Sequence, residues 1–154
     1  MITCKGGDQL KNMPAKTPIS PHFSEDFSFK YKVTYGPEQH EYHTHKQFDI
    51  IFMLTPNSVC HVSEKNWKVP KNSIILFNNM DLHKITLNTH ERFERYTLSF
   101  KPEYIESLSS KETDLLECFF LRPFSNPYIL PLTIPQAEEC LPQLKRLITC
   151  NDDR

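Results

Sequence analysis

Residues 43–54 read HTHKQFDIIFML, and this stretch decides much of how the chain folds. Successive side chains of a β-strand point to opposite faces, so residues two apart in the sequence share a face. If the stretch is extended, one face carries both polar and apolar side chains: His43, His45, Asp49, Ile51 and Met53. The opposite face is wholly apolar: Phe48, Ile50, Phe52 and Leu54. The pattern predicts a strand buried on both sides, with helices covering the apolar face.

The residues around this stretch, from 27 to 100, show the pattern of many short strands. The first strand alternates Phe27, Phe29, Tyr31, Val33 and Tyr35 with polar neighbours. Six further runs follow, nearly all separated by turn residues: Phe48–Leu54, Ser58–Glu64, Trp67–Val69, Ser73–Phe77, Lys84–Asn88 and Arg92–Phe100. No helical period intervenes between them. The pattern predicts a mainly β fold, a sandwich or barrel rather than a parallel βαβ sheet.

After Phe100 the pattern becomes helical. Pro102 suits the first turn of a short helix over Glu103–Leu108. Ser109 and Glu112 have the spacing of a capping box, which predicts a second helix carrying Leu115, Leu116, Phe119 and Phe120. These elements predict a C-terminal helical part over 101–154, after a barrel over 25–100 and an N-terminal arm or loose lead-in over 1–24.

A third helix is predicted after Thr133 and Gln136, which repeat the capping-box spacing. Its apolar residues recur at three- and four-residue intervals: Ile134, Ala137, Leu141, Leu144 and Ile148. This spacing is typical of a two-helix seam and predicts a dimerisation helix, although it also suits a helix packed on the barrel wall. Pro142 lies inside the helix and predicts a kink or a restart near Cys140.

Composition excludes several classes of function. The 154 residues carry a net charge of −1, so we expect no direct binding of nucleic acid by these residues. The longest apolar stretch, 48–54, is far below the ~20 residues of a membrane span, and the N-terminus lacks the apolar core of a signal peptide. With three glycines the chain has no phosphate-binding glycine loop. Five cysteines without a C-x-x-C pair indicate a reducing, cytoplasmic setting.

The candidate binding residues are histidines. His43 and His45 share a face of the predicted strand with Asp49, and His83 precedes another strand. Imidazoles and a carboxylate that meet in space form a metal site or bind a polar ligand. The alternative is that these are ordinary hydrogen-bonded or exposed histidines.

Three segments carry a resemblance to a known family: HTHKQFDIIFMLTPNSVCHV, then WKVPKNSIILFNNMDLHKI, then RFERYTLSFKPEYIESL. Over about residues 28–148 the chain resembles the N-terminal cupin domain of AraC-type transcription regulators. The resemblance implies a double-stranded β-helix (cupin, jelly-roll) barrel that binds a small-molecule effector and dimerises through the following helices. It also implies a DNA-binding domain, which is not in this sequence, so we expect the chain to be part of a longer regulator.

The resemblance also implies roles for single residues. His43, His45 and His83 fall on the histidine positions of cupins, and Asp49 stands where metal cupins carry the longer Glu. We therefore predict an effector pocket at these four residues, with no cofactor expected and a divalent metal possible. Trp67 and Tyr96 are predicted to add stacking surface. The polar lining favours a hydroxylated, sugar-like or anionic effector.

Two other functions compete with this interpretation. A metal-dependent cupin enzyme, of the dioxygenase or isomerase type, would use His43, His45, Asp49 and His83 as ligands. A carbohydrate-binding module would rarely need the C-terminal helices. We predict a non-enzymatic sensor whose partners are an effector, a second copy of the chain and, through the other domain, DNA.

Overall fold

The computed structural model describes residues 27–37, 39–87, 89–122 and 128–149, and these contain eight strands and three helices. The strands are β1 (Phe27–Tyr35), β2 (Phe48–Met53), β3 (Ser58–Val62), β4 (Lys65–Val69), β5 (Ser73–Phe77), β6 (His83–Leu87), β7 (Arg92–Phe100) and β8 (Ile129–Pro131). The helices are α1 (Pro102–Glu106), α2 (Glu117–Phe120) and α3 (Ile134–Thr149). The predicted arm, 1–24, and residues 150–154 lie outside the described residues.

The described strands form two antiparallel sheets. The five-stranded sheet has the order β1-β7-β2-β5-β8, and the three-stranded sheet has the order β4-β3-β6. Within the larger sheet, Ile51 of β2 lies opposite Ile75 on one side and Thr97 on the other. The predicted mainly β, antiparallel fold is confirmed. Strand β8 was not predicted; it adds a fifth strand to the larger sheet from beyond residue 100, with Ile129 opposite Ile75.

The two faces of β2 divide as its sequence predicts. Ile51 and Met53 point between the two sheets, where they pack in an apolar core that draws on both: Ile51, Met53, Cys60, Val62, Val69, Ile75, Phe77, Leu87, Phe93 and Ile129. Phe48 and Phe52 point the other way, into two clusters on the outer face of the five-stranded sheet. Residues of the helical part cover that face, as expected.

The capping-box predictions have different outcomes. At α3 the box forms, because the Gln136 side-chain oxygen accepts the backbone N–H of Thr133 at 2.9 Å and the Thr133 hydroxyl faces the Gln136 N–H. At the second helix it is wrong: the backbone of Glu112 bonds to the Ser110 hydroxyl in a turn, and α2 begins only at Glu117. Helix α3 continues through Pro142 without the predicted restart.

The apolar stripe of α3 packs on the barrel wall. Ala137, Leu141, Leu144 and Ile148 belong to the cluster formed with Phe29, Phe52 and Tyr96 on the outer face of the five-stranded sheet. Ile134, the first residue of the predicted seam, is 70% exposed. Four of the five predicted dimerisation residues therefore have partners within their own chain, which is the alternative that their spacing left open.

Turns in this glycine-poor chain use asparagine and serine. Asn57, Ser63 and Asn72 adopt positive φ angles of 73°, 52° and 55°. Asparagine tolerates this left-handed region better than other non-glycine residues, because its short side chain bonds to nearby backbone. Gly36 is needed for a different reason, since a Cβ there would collide with the carbonyl oxygen of Thr89.

Candidate functional site

Three histidines meet where β2 and β6 begin. His43 forms an isolated antiparallel bridge with His83, through two backbone hydrogen bonds of 3.0 Å, and His45 follows two residues later on the same side. The ring centroids of His43 and His83 are 4.6 Å apart, and those of His45 and His83 are 5.1 Å apart. One ring nitrogen from each residue lies within 4.8 Å of the others. We call these three residues the histidine cluster.

Each ring of the histidine cluster is oriented by a local backbone carbonyl. The Nδ1 atoms of His43, His45 and His83 lie 3.0, 2.6 and 2.9 Å from the carbonyl oxygens of Glu41, Gln47 and Asp81. A carbonyl only accepts hydrogen bonds, so Nδ1 carries the proton in each ring. In the neutral rings of His43 and His83 the lone pair is then on Nε2, which can accept from a ligand or bind a metal, whereas Nε2 of His45 faces the Asp49 carboxylate.

Asp49 lies beside the cluster, on β2. Its Oδ2 is 3.1 Å from Nε2 of His45, at ion-pair distance but not aligned as a regular hydrogen bond. The neighbouring carboxylate raises the pKa of His45 above its ordinary 6.5, although burial opposes the shift. His45 Nε2 faces Oδ2 of this carboxylate, whereas Asp49 Oδ1 is buried without a hydrogen-bond partner among the described residues. Buried polar atoms are nearly always satisfied, so Asp49 Oδ1 is the atom that a ligand would complete.

His83 is the most deeply placed ring of the cluster. It is 3% exposed and stacks on Phe77, with ring centroids 3.7 Å apart and planes 13° from parallel. Burial lowers the pKa of His83 below 6.5. At neutral pH the ring is therefore uncharged and available as an acceptor.

A second group of side chains lies next to the cluster and was not predicted from the sequence. Arg122 forms a two-pronged ion pair with Asp81, at 3.0 and 3.3 Å, and its guanidinium lies 4.8 Å from the centroid of the Tyr128 ring. The Tyr128 ring in turn contacts Phe77 and Trp67, at centroid distances of 6.3 and 5.3 Å. The sequence carries no spacing signal for this group, because 41 residues separate Asp81 from Arg122.

The structure separates the two predicted aromatic residues. Trp67 packs against the core between the sheets, on the same side as Phe77 and Tyr128. Tyr96 lies on the outer face of the five-stranded sheet, stacked on Phe29 at 5.7 Å, beneath α3. Tyr96 is therefore not brought to the histidine cluster; it lines clefts of about 530 and 310 Å³ between α3 and the sheet.

The site is confined to one end of the barrel. Met53, Cys60, Ile75, Phe77 and Leu87 are at most 1% exposed and fill the space between the sheets. The polar residues cluster where β2 and β6 start and where β5 ends, since Asp49 pairs with Phe77. The four predicted pocket residues therefore lie at a polar mouth above an apolar core.

The donor set of this mouth fits a divalent metal. Neutral imidazoles with a nearby carboxylate suit first-row transition metals, which bind imidazole nitrogen at about 2.1 Å. Three nitrogens within 4.8 Å of one another reach that geometry after a small inward movement of the rings. The same donors also suit a hydroxylated organic ligand, because each acceptor can bind an O–H group.

Comparison with known families decides what kind of domain this is. Residues 31–153 match the AraC-like ligand binding domain. The chain belongs to this family. The family resemblance inferred from the sequence is thereby confirmed, and with it a ligand-binding role for the AraC-like domain.

The AraC-like domain is also similar to solved structures, two of which are named as cupins. A protein from Photorhabdus luminescens is 16% identical, with 67% of this chain and 91% of that chain covered and a TM-score of 0.49. A cupin 2 conserved barrel domain protein from Salinispora arenicola is 12% identical, covering 70% and 95%, with a TM-score of 0.48. An RmlC-like cupin with a double-stranded β-helix fold from Methanocaldococcus jannaschii is 14% identical, covering 59% and 86%, with a TM-score of 0.46. The predicted mainly β fold with a C-terminal helical element is confirmed by the two antiparallel sheets and helix α3 of this chain.

Two negative findings complete the description of the chain. A search of curated proteins gives no match. Across the described ranges, no helix combines the length and apolar composition that a membrane span requires.

Proposed function

We propose that this AraC-like domain is the sensing part of a transcription regulator and binds a small-molecule effector at its histidine mouth. The observation that carries the proposal is the Asp49 Oδ1 atom, which is buried without a hydrogen-bond partner beside three converging imidazoles. Leaving such a group unpaired costs about 1–3 kcal/mol, which a bound effector would recover. In this proposal DNA is contacted by another domain of a longer polypeptide, and effector binding controls that domain.

The chemistry of the mouth favours a hydroxylated, uncharged effector. Asp49 offers an unpartnered carboxylate oxygen, and the anchored Nδ1–H groups leave Nε2 atoms as acceptors. Acceptors of this kind bind O–H donors, while the carboxylate repels an anion. A polyol or sugar-like molecule fits this set better than a carboxylic acid.

A thermal-shift screen tests the proposal. Polyols, sugars and small acids are added to the purified chain, and a ligand at 100 times its Kd is expected to add ~2.7 kcal/mol of stability. Asp49→Asn should abolish the shift of any hit. His61→Gln is the matched control, because His61 contacts Thr86 at 2.9 Å and lies outside the cluster. A hit that survives Asp49→Asn but is lost in His61→Gln would place binding elsewhere and contradict the proposal.

A metal-dependent cupin enzyme is the second candidate. It is favoured by the three converging nitrogens, each on a ring whose other nitrogen is held by a carbonyl, as in most metal-binding histidines. Elemental analysis of protein purified without an affinity tag separates the two candidates. Stoichiometric metal that is lost in a His43→Ala/His83→Ala variant favours the enzyme, whereas metal-free protein with unchanged folding favours the sensor.

Dimerisation is proposed through the outward side of α3. Leu144 packs on the sheet, while Ile134 and Leu147 are 70% and 45% exposed. Leu147→Glu is expected to convert a dimer to a monomer in light scattering and to lower the melting temperature only by the stabilisation that association supplies. Leu144→Glu is expected to destabilise the fold, because it places a charge against the apolar face. A wild-type chain that is monomeric at high micromolar concentration would contradict this proposal.

A further inference from the structure

A buried polar network joins the loop between β5 and β6 to the end of α2. Asn78 donates its side-chain N–H to the backbone oxygen of Phe119 at 3.2 Å, and its own backbone N–H bonds to Oδ2 of Asp81 at 2.8 Å. Asp81 also binds both terminal nitrogens of Arg122. The Asp81 and Arg122 side chains are only 10% and 9% exposed, so the pair is largely removed from water.

The same loop fixes the deepest ring of the histidine cluster. The backbone oxygen of Asp81 lies 2.9 Å from Nδ1 of His83 and holds that ring in one orientation. The Asp81 carboxylate therefore faces Arg122, while the Asp81 carbonyl faces His83. Asp81 thus contacts both Arg122 and His83.

We propose that Arg122 is a positioning residue for His83 of the histidine cluster, which it orients through the Asp81 carboxylate and carbonyl. The proposal rests on the proposed function in one respect, that the cluster is the binding site. It goes further in naming the route by which binding reaches the C-terminal part: residues 119–122, which the network holds, precede β8 and α3 in the chain.

The chemistry of the pair explains why arginine is needed here. A guanidinium presents a rigid fork that matches both oxygens of a carboxylate, and its flat face stacks on an aromatic ring, here Tyr128. Lysine would keep the charge but not the two-pronged geometry. Because the pair is buried, removal of one partner leaves the other charge uncompensated, and the loop that carries the Asp81 carbonyl is expected to rearrange.

Coupling of this kind acts in both directions. If Arg122 favours the orientation of His83 that binds a ligand, then ligand binding must equally favour the ordered pair of Arg122 and Asp81. Occupation of the mouth would thus stabilise the α2 segment, where the Leu121 N–H bonds to the Glu117 carbonyl at 2.8 Å.

The test uses two readouts, NMR of the His83 ring and Co²⁺ as the probe ligand. In the wild-type chain, ¹⁵N spectra at neutral pH should show His83 protonated on Nδ1 only. In Arg122→Met this single tautomer should give way to a mixture, and Co²⁺ affinity should fall 10- to 100-fold, the usual effect of losing an outer-shell partner. Arg92→Met is the control for the loss of an arginine ion pair outside the site, because Arg92 pairs with Glu94 at 3.1 Å on β7 and its side chain is 53% exposed.

Two further variants keep the test decisive. Asp81→Asn retains an oxygen for the Asn78 N–H and should reproduce the Arg122→Met effect. The double variant should be no worse than either single one, since both act through one pair. Arg122→Lys serves if Arg122→Met fails to fold, and it should restore the melting temperature better than it restores Co²⁺ affinity.

The outcomes separate this inference from the proposed function. A folded Arg122→Met or Arg122→Lys chain with the wild-type His83 tautomer overturns the positioning role. If the tautomer changes as expected but neither Co²⁺ nor any polyol binds the wild-type chain, the positioning role stands and the binding site fails. Slower hydrogen exchange of the Leu121 amide on Co²⁺ binding, in wild type but not in Asp81→Asn, supports the proposed route.

Discussion

Phe119 joins the helical part to the barrel, and its removal should be costly. The ring is 1% exposed and contacts Phe48 and Phe100 at centroid distances of 4.9 and 5.7 Å, on the outer face of the five-stranded sheet. Replacing a buried Phe by Ala typically costs 3–5 kcal/mol, because apolar contact is lost and a cavity remains. With a urea m-value of about 2 kcal/mol per molar, the midpoint of unfolding should fall by ~1.5–2.5 M.

The adjacent residue supplies the control. Phe120 is 52% exposed, so Phe120→Ala should cost about 1 kcal/mol and shift the midpoint by ~0.5 M. Unfolding is followed by far-UV circular dichroism and by the fluorescence of Trp67, the single tryptophan, which reports on the core between the sheets. Equal midpoint shifts for the two variants would refute the reasoning from the burial of Phe119. Fluorescence and dichroism transitions that separate in the wild-type chain would refute the two-state unfolding on which the predicted shifts depend.

Three other predictions concern ionisable side chains. In NMR titrations His45 should titrate above pH 6.5, and Asp49→Asn should lower its pKa, because the adjacent carboxylate is the main cause of the shift. The stability that this ion pair contributes should be fully present below pH 6.5 and be lost as the pH rises through the folded-state pKa of His45. His83, whose pKa is lowered by burial, should act with the opposite sign: its contribution is present above pH 6.5 and is lost as the pH falls through its folded-state pKa. Burial raises the pKa of Cys60 to about 12, so peptide mapping after brief alkylation at pH 8 should find Cys118, which is exposed, labelled well before Cys60. Labelling of Cys60 at the rate of Cys118, a rising His45 pKa in Asp49→Asn, or a stability profile without these two limbs would contradict the respective prediction.

The strands could be predicted because they depend on local spacing, which places Asp49, Ile51 and Met53 on one face of β2. The predicted strand over 43–54 is shorter in the structure, since β2 begins only at Phe48, after a bend at 46–47. His83 was assigned to the cluster by the family resemblance, and its bridge with His43 brings the third imidazole to the other two. The ion pair of Asp81 and Arg122 could not be predicted in this way. It forms only because the segment after α1 returns to the loop between β5 and β6, and no periodicity in the sequence specifies that return.

The helical part shows the same limit from another side. The spacing of the apolar residues in α3 suits contact with a sheet and contact with a second helix equally well. The structure shows that the sheet lies against this stripe, and the sequence spacing alone does not show it. The prediction that Tyr96 adds stacking surface to the site is wrong about its position, because the sequence pattern identified the strand but not which of its residues face the space between the sheets. Phe93 points between the sheets, and Tyr96, three residues later, points outward.

The packed interior described above also bears on exchange kinetics. Met53, Ile75 and Phe77 already occupy the space between the sheets. In the proposed function, an effector at the histidine mouth would therefore displace no core side chain, and its binding and release would require rearrangement only at the rim of the mouth. A binding site of this kind would release its ligand quickly. It would select ligands by the polar groups at its opening rather than by the shape of an enclosed cavity.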